Sequence, residues 1–408
     1  MPTRFLQFHT LTSYPAALLN RDDAGFAKRI PFGGATRTRV SSQCLKRHWR
    51  TFDGPGALSE VGVDLSVRSR QSFERFVYDP LVADGLETAA AEAVTGALMA
   101  VVLGESPKAR KKRDEAEGPA LRTGQITVLG RTELEYLKTV AAAVAGDLDG
   151  SLAPDKLRKV AEAALKQHLG KEGKKNLEAM RAAAGLDAAM FGRMTTGDLL
   201  ARTDAAIHVA HAFTVHAEMA ESDYFSAVDD LLGTGDDEDE ARGSGHIGSN
   251  ELNSGLFYGY TVVDIGLLIE NLGPGTAASA SDADRALAAE VVARLVRLIA
   301  TVSPGAKLGS TAPYAYSSLV LVEAGDAQPR SLANAFLRPI SPRPSPLENS
   351  FDALGGHLRD LDRVYEGGER RQVVGVGDLS GLVSRSAAAD AGSLSGLAKW
   401  AAAQILEA

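Results

Sequence analysis

The sequence has 408 residues, and 45% of them are hydrophobic. A chain of this length and composition can bury a large core, which excludes an intrinsically disordered protein, and its single cysteine excludes a small disulfide-stabilised domain. The 44 basic and 52 acidic residues give a formal net charge of −8, so the surface is not basic all over. The N-terminal residues lack the pattern of a signal peptide, and no apolar run is long enough to span a bilayer. We therefore expect a cytoplasmic protein with no membrane partner.

The charge is distributed unevenly along the chain. Residues 21–50 contain eight basic and two acidic side chains, which gives this stretch a local charge of +6. A second basic cluster lies at residues 108–113, and a third lies on helix-like sequence at residues 156–181. Residues 236–240 are five consecutive acidic side chains flanked by glycines, which predicts a solvated loop tip rather than a metal site.

The hydrophobic periodicity predicts an α+β fold. Strands are predicted at residues 4–11, 206–219, 256–265 and 316–322. Helices are predicted at residues 42–52, 86–103, 132–145, 154–169, 174–184 and 282–302, with Ser41 or Ser42 and Thr132 as N-caps and Pro154 in a first turn. Few strands separated by many helices, in an irregular order, favour an α+β sheet with large insertions over a doubly wound fold.

Motifs for catalysis are nearly absent. His208, His211 and His216 fall in the predicted strand, whose alternating faces keep the three side chains from converging on one metal ion. Basic neighbours at the start of a helix could lower the pKa of the Cys44 thiol, but no general base is evident beside it. The sequence therefore predicts no enzyme activity, no metal site and no cofactor.

Residues 19–50 have the composition of an anion-binding surface. Gly33 and Gly34 would let the backbone approach a ligand, and Arg37 and Arg39 alternate onto one face of an extended run. A capped helix follows, and free N–H groups at a helix start attract phosphate.

Two cations on that helix, Lys46 and Arg50, are four residues apart, so both can reach the same strand of nucleic acid. Spacing alone also allows an amphipathic helix with a solvated basic face.

This segment closely resembles the N-terminal signature of the CasC family, the repeated backbone subunit of type I-E CRISPR Cascade. Other strings resemble that family in the same order along the chain: AMFGRM at 189–194, the histidine-containing run at 208–216, DYFSAVDD at 223–230, HIG at 246–248, GLFY at 255–258 and SLANAF at 331–336. The resemblance extends from residue 4 to about residue 340. The region after about Ser341 is less recognisable, and residues 108–113 and 236–240 look like local elaborations.

The resemblance implies an α+β fold with three parts. An RRM-like (ferredoxin-like) palm sheet would comprise residues 1–83, 204–221 and 254–408, a helical fingers insertion residues 84–203, and a β-hairpin thumb residues 222–253. It further implies a non-catalytic subunit whose copies polymerise along the crRNA, kink it at regular intervals and present its bases to a target DNA strand. The implied partners are other copies of the chain, other Cascade subunits and a nuclease recruited in trans.

The resemblance also implies roles for individual residues. Those expected to hold crRNA phosphates and sugars are Asn20, Arg21, Lys28, Arg37, Arg39, Ser41, Gln43, Lys46, Arg47 and Arg50. Those expected near the kinked nucleotide are Phe191, Met194, Tyr224, Phe225, His246 and Ile247, with a core contact as the alternative for Phe191 and Met194. The candidates for contact with DNA are Lys166, Lys171, Lys174 and Lys175, with a solvated helix face as the alternative.

Two other functions remain open from the sequence. An RRM-fold endoribonuclease that processes guide RNA would need a general base, for which His9, His48 and His246 are the candidates. A self-assembling structural protein would carry the basic segment without binding nucleic acid.

Overall fold

The computed structural model describes residues 3–105, 121–148, 152–179, 184–194, 200, 202–228, 244–273, 275–305 and 308–407. The chain forms two compact units: the first contains residues 1–57, 209–263 and 292–408, and the second contains residues 58–208 and 264–291. The basic cluster at 108–113, the acidic run at 236–240 and the side chains of Lys174, His246 and Ile247 lie outside what the structure describes.

The strands are β1 (Phe5–Ala17), β2 (Arg29–Phe32), β3 (Ala35–Val40), β4 (Val67–Ser69), β5 (Thr127–Leu129), β6 (Ile207–Val209), β7 (Ala212–Thr214), β8 (Ala220–Val228), β9 (Ser244–Asp264), β10 (Ser317–Gly325), β11 (Arg370–Gly375) and β12 (Ala389–Asp390). The helices are α1 (Ser42–Thr51), α2 (Asp79–Ala83), α3 (Thr88–Leu103), α4 (Arg131–Gly146), α5 (Pro154–His168), α6 (Lys171–Ala179), α7 (Leu186–Phe191), α8 (Ile265–Leu272), α9 (Asp282–Thr301), α10 (Pro346–Tyr365), α11 (Ser380–Ser386) and α12 (Leu394–Leu406). In the described part of the chain, no helix is both long and apolar enough to cross a membrane.

The first unit is built on a large sheet with the strand order β12-β11-β10-β1-β9-β7-β3-β2. The pairs β1–β10, β10–β11, β2–β3, β3–β7 and β7–β9 are antiparallel, and β11 and β12 are parallel. Strand β8 extends from β9 as a further antiparallel partner. Residues 319–324 of β10 are buried without interruption, as expected for a central strand covered on both faces. Leu319 and Leu321 share a core cluster with Phe351 and Leu354 of α10, so this helix covers one face of the sheet.

A buried ionic network supports the same sheet. Glu323 of β10 accepts hydrogen bonds from His9, Arg330 and Arg371, and Arg371 also pairs with Asp362. Burial alone would raise the pKa of Glu323, but the hydrogen bonds and charges of His9 and Arg330 hold it well below its ordinary value. The carboxylate is therefore ionised and satisfied, as a buried charge must be.

The second unit is mainly helical. Helix α3 is buried along almost its whole length and packs against α4 and α5 through a core that includes Leu98, Leu137 and Leu165. The short hairpin of β4 and β5 lies in this unit, and the buried Asp187 accepts hydrogen bonds from Ser66 and Arg68 of the β4 region.

The predicted α+β class is confirmed, while the finer division into palm, fingers and thumb stays a prediction. Each of the six predicted helices corresponds to an observed one, with small shifts at the ends. Ser41 is the N-cap of α1, as one of the two alternatives predicted, and Pro154 begins α5. Thr132 is not a cap, because α4 begins at Arg131 and the Glu133 side chain accepts a hydrogen bond from the Gly130 N–H.

The prediction of one continuous strand at residues 206–219 is wrong. The segment forms β6 and β7, separated by two residues, and bends after Thr214. There the Thr214 hydroxyl donates to the His216 carbonyl, and the His216 ring accepts a hydrogen bond from the Leu256 N–H. Because side chains satisfy backbone groups at the bend, the ladder stops without leaving those groups unpaired.

The turn between β2 and β3 also differs from its prediction. Gly33 and Gly34 both have positive φ angles, of 61° and 77°. A Cβ atom on Gly33 would overlap the carbonyl of Leu337, whereas a Cβ on Gly34 would meet nothing within 4 Å. The close approach that Gly33 allows is therefore to the protein's own backbone rather than to a ligand.

Alanine substitutions at the two glycines separate backbone strain from this packing contact. We expect Gly34→Ala to lower the free energy of unfolding by about 1 kcal/mol, the cost of an L-residue in the left-handed region. We expect Gly33→Ala to lower it by about 3 kcal/mol, because the strain is joined by a backbone clash. Chemical denaturation of both variants measures the difference, and equal losses would contradict the contact between Gly33 and Leu337.

Candidate nucleic-acid interface

The segment before β2 is a compact loop tied to β3. The Asp22 carboxylate accepts hydrogen bonds from the N–H groups of Ala24 and Phe26, at 3.0 and 2.9 Å. The Lys28 N–H donates to the Asn20 carbonyl, and the Arg39 N–H donates to the Lys28 carbonyl. One of the two acidic side chains in this stretch is thus occupied within its own loop, and the basic residues stay close to the sheet.

Helix α1 begins where this loop meets β3. The Ser41 hydroxyl accepts a hydrogen bond from the Cys44 N–H, and the Ser41 N–H donates to the Asn20 side-chain oxygen at 2.9 Å. Both Asn20 and Ser41 were predicted to hold RNA, but these side-chain atoms cap the helix and join it to the loop. Trp49 anchors the opposite side of α1 in the interior, leaving Arg47 exposed.

Arg37 occupies a structural position. Its side chain is completely buried and donates to the carbonyls of Phe32, Thr214 and Phe336 at 3.2, 2.9 and 2.9 Å. Burial lowers the pKa of the guanidinium, and all three acceptors are backbone oxygens. The expectation that Arg37 holds a phosphate is therefore corrected, because no part of the side chain reaches the surface.

Arg29 pairs with acidic side chains and so adds little to the net positive charge of this segment. Its guanidinium pairs with the carboxylates of Glu218 and Glu251, both of which lie about 200 residues further along the chain. The local charge of +6 counted along the sequence therefore overstates the charge available to a ligand.

Other cations of this segment lie close to one another around His211 and Cys44. Burial lowers the pKa of His211, and the positive charges of Arg39 and Lys28 lower it further. The Arg39 guanidinium donates to Nδ1 of His211 at 2.8 Å, an acceptor that sequence reasoning missed because the two residues are 172 positions apart. We define the basic surface as Arg21, Lys28, Arg39, Gln43, Lys46, Arg47 and Arg50, all at least partly exposed.

Cys44 lies beside this surface but is not activated. Burial raises the pKa of its thiol, and this effect exceeds the opposing influence of Lys28 and Arg47. The expected lowering of the thiol pKa is therefore wrong. His48 is 3.7 Å from the sulfur, but its Nδ1 donates to the Cys44 carbonyl and its Nε2 accepts from the Gly305 N–H, so it cannot act as a base toward the thiol.

Met194 extends from a firmly held part of the second unit. The preceding residue, Arg193, exchanges two backbone hydrogen bonds with Thr203, and its buried guanidinium pairs with Glu133 at 2.6 Å. Met194 itself is 95% exposed, so the structure excludes the alternative of a core contact for this side chain. Phe191, at the end of α7, is half-buried.

The predicted thumb residues lie on the antiparallel pair of β8 and β9. Tyr224 and Phe225 are consecutive, so they lie on opposite faces of the ribbon, and both are exposed. The Phe225 ring lies across Gly248, where a Cβ atom would overlap it. The backbones of His246 and Ile247 pair with Ala227 and Ser226 in the same ladder.

A family model for CT1975-like proteins matches residues 6–400 of the sequence. The chain belongs to the CT1975-like protein family. The match continues well beyond residue 341, so the C-terminal region that looked less recognisable is also part of the family pattern.

Two solved structures share the fold of this CT1975-like chain. A chain from a "CRISPR RNA-guided surveillance complex, pre-nicking" aligns with a TM-score of 0.72 and 24% sequence identity, over 98% of this chain and 99% of that chain. A chain from a "CRISPR RNA-guided surveillance complex" aligns with a TM-score of 0.63 and 21% identity, again over 98% and 99%. These likenesses cover both units and establish the fold. No curated protein matches the sequence.

The lysines predicted to contact DNA lie on α5 and α6 of the CT1975-like chain. Lys166, Lys171 and Lys175 are exposed, and Lys166 pairs with Glu162 one helical turn away at 2.9 Å. Such a surface pair holds its charges only weakly, so the lysines stay accessible to a polyanion. Their role as DNA contacts stays a prediction.

Two of the three histidines named for the alternative function, His9 and His48, have side chains that the structure describes, and neither is placed to act as a general base. His9 is completely buried between Tyr258 and Glu323, and burial lowers its pKa. Both ring nitrogens of His48 are engaged, as described above. Within the described residues, no group of three or more His, Cys, Asp or Glu side chains is placed to hold a metal ion.

Lysine substitutions at the two neighbouring arginines test the division between structural and available cations. We expect Arg37→Lys to lower the free energy of unfolding by about 2–4 kcal/mol, because one ammonium group cannot reach three buried carbonyls held by a planar guanidinium. We expect Arg39→Lys, at a partly exposed site, to change stability by less than about 1 kcal/mol. Denaturation curves of both proteins measure this contrast, and a stable Arg37→Lys protein would contradict the buried position of Arg37.

Proposed function

We propose that this CT1975-like chain is a non-catalytic backbone subunit of a type I-E CRISPR surveillance complex, in which it holds the guide RNA. Copies of the chain would stack along one crRNA, together with other Cascade subunits. The observation that carries the proposal is the basic surface, whose cations converge beside α1 in a chain that is acidic overall. Its family membership and the fold it shares with chains of RNA-guided surveillance complexes support this reading.

The basic surface has the chemistry needed to hold an RNA backbone independently of sequence. Arg39, Lys46, Arg47 and Arg50 supply donors and positive charge, while the sheet and the Ser41 cap fix the strand and helix that carry them. Contacts of this kind position the guide without reading its bases, so base pairing with the target DNA strand would supply specificity. Cleavage would belong to a nuclease recruited in trans.

The exposed apolar side chains suit a second step. An unbranched methionine side chain that extends from a firmly held backbone can enter a gap between unstacked nucleobases. Met194 is such a residue. With Phe191 it would kink the guide at regular intervals. The same role for Tyr224, Phe225, His246 and Ile247 of the first unit is the expectation that follows from the family resemblance. The bases between kinks would then stay stacked and available for pairing.

Charge reversal on α1 tests the placement of the guide. We expect Lys46→Glu, Arg47→Glu and Arg50→Glu together to abolish guide retention, because three phosphate contacts become repulsive. The corresponding triple alanine variant should reduce the slope of log K against log salt by about two units for single-stranded RNA. The measurements are the RNA content of the purified complex and binding at several salt concentrations.

The control carries the same charge change on the second unit, as Lys166→Glu, Lys171→Glu and Lys175→Glu, and should retain the guide. Unchanged guide retention after reversal on α1, in a folded protein, would overturn the assignment of the basic surface.

Truncation of Met194 tests the kink. We expect Met194→Ala to leave guide retention unchanged and to weaken pairing with a complementary DNA strand by about tenfold, because the wedge that separates guide segments is lost. Met219→Ala, at another exposed methionine, serves as the control. Gel-shift titration of the guide-loaded complex gives the affinity for target DNA. An equal loss of guide and target binding would contradict the wedge role.

A further inference from the structure

Two tyrosines in the loop before β10 are exposed to an unusual degree. The side chains of Tyr314 and Tyr316 are 76% and 75% accessible to solvent. Large rings of this kind normally cover part of their apolar surface within the fold. Neither residue was singled out from the sequence, because a Tyr-Ala-Tyr string before a strand is equally typical of a strand edge.

The residue between the two rings is fixed to the fold. The Ser303 hydroxyl donates to the Ala315 carbonyl at 2.9 Å and accepts from the Ala315 N–H at 3.0 Å. The Ala315 side chain packs against the core cluster that includes Tyr14, Leu19 and Val40. Because Ala315 is held toward the interior, the tyrosines on either side of it extend toward solvent. Their exposure therefore follows from the fixed conformation of the loop.

The same loop is joined to the helix that carries the basic surface. The Gly305 N–H donates to Nε2 of His48 at 2.9 Å, and Cys44 and Leu45 of α1 pack against the same core cluster as Ala315. Arg47 and Lys46 are the next residues along α1. The two exposed rings therefore extend from a loop that is held against the helix carrying these cations. Single-stranded nucleic acids bind to a combination of aromatic rings and cations, since bases stack on aromatic faces while phosphates meet positive charge.

We propose that Tyr314 and Tyr316 form a stacking platform for unpaired bases of a single-stranded RNA whose phosphates lie on the basic surface. This inference rests on the proposed function and adds to it a contact with the bases. The platform tolerates any sequence, because every base presents a stacking face. It would limit the rotation of the bases beside α1 and so fix the position of the strand along the helix.

The experiment uses the full chain and a fluorescein-labelled single-stranded RNA of mixed sequence, with a second RNA that has the same backbone but several abasic positions. We expect the double variant Tyr314→Ala, Tyr316→Ala to bind the normal RNA about tenfold more weakly. The double phenylalanine variant should bind like the unchanged protein, since it keeps both rings. On the abasic RNA, the alanine and unchanged proteins should bind equally.

Two controls keep the outcomes distinct. Tyr365→Ala removes a ring of similar exposure at the end of α10 and should have no effect on RNA binding. The charge reversal on α1 is measured in the same assay. If that reversal has no effect, the proposed function fails; if it abolishes binding while the tyrosine variants bind normally, only the stacking platform is overturned.

Other results would also overturn the platform. An equal loss on normal and abasic RNA would mean that the tyrosines act on the backbone or on the fold. A change in the particle size of the purified complex with normal RNA affinity would mean that the rings contact a second copy of the chain instead.

Discussion

The buried guanidinium of Arg37 ties together three parts of the chain that are far apart in sequence. Its acceptors are the end of β2, the bend after β7 that lies 177 residues away, and the segment at Phe336 that lies 299 residues away. One side chain donates to all three carbonyls, so removing it would leave polar groups in the interior with fewer partners, which is costly. The turn of the β2–β3 hairpin lies against Leu337, the residue after the Phe336 acceptor, so the hairpin contacts that segment twice.

Contacts between arginines and other parts of the fold also determine where positive charge is exposed on this acidic chain. Several arginines make contacts within the fold. Arg37 donates hydrogen bonds to backbone carbonyls, Arg29 pairs with Glu218 and Glu251, and Arg371 pairs with Glu323 and Asp362. Most of these contacts join residues far apart in sequence, as Arg29 with Glu218 and Glu251, so they are not visible as local charge compensation. Asp22, one of the two acids in residues 21–50, accepts hydrogen bonds from N–H groups of its own loop. The basic surface is therefore a local concentration of positive charge on a chain that is negative overall.

Features determined by residues close together in the sequence could be predicted, whereas features determined by contacts between distant residues could not. Helices such as α1 and α9 follow from periodicity and capping residues, and they were predicted within a few residues. The broken strand at residues 206–219 was not predictable, because the bend depends on the His216 ring bonding to Leu256, 40 residues away. The buried role of Arg37 and the pairing of Arg39 with His211 are long-range in the same way. Motif resemblance singled out residues 19–50 but could not separate the arginines that build the fold from those that face solvent.

The exposed apolar groups follow a consistent physical logic. Met194, Tyr314 and Tyr316 each lie next in sequence to a residue whose backbone makes two hydrogen bonds. That residue is Arg193 for Met194 and Ala315 for both tyrosines. A side chain exposed on a mobile loop would lose conformational entropy on binding, which would offset much of its contact energy. Side chains held outward by a rigid segment have already lost that freedom when the protein folds. In the proposed complex, the unfavourable exposure of apolar surface in the isolated chain would be offset when the flat faces of unpaired bases pack between or against those side chains.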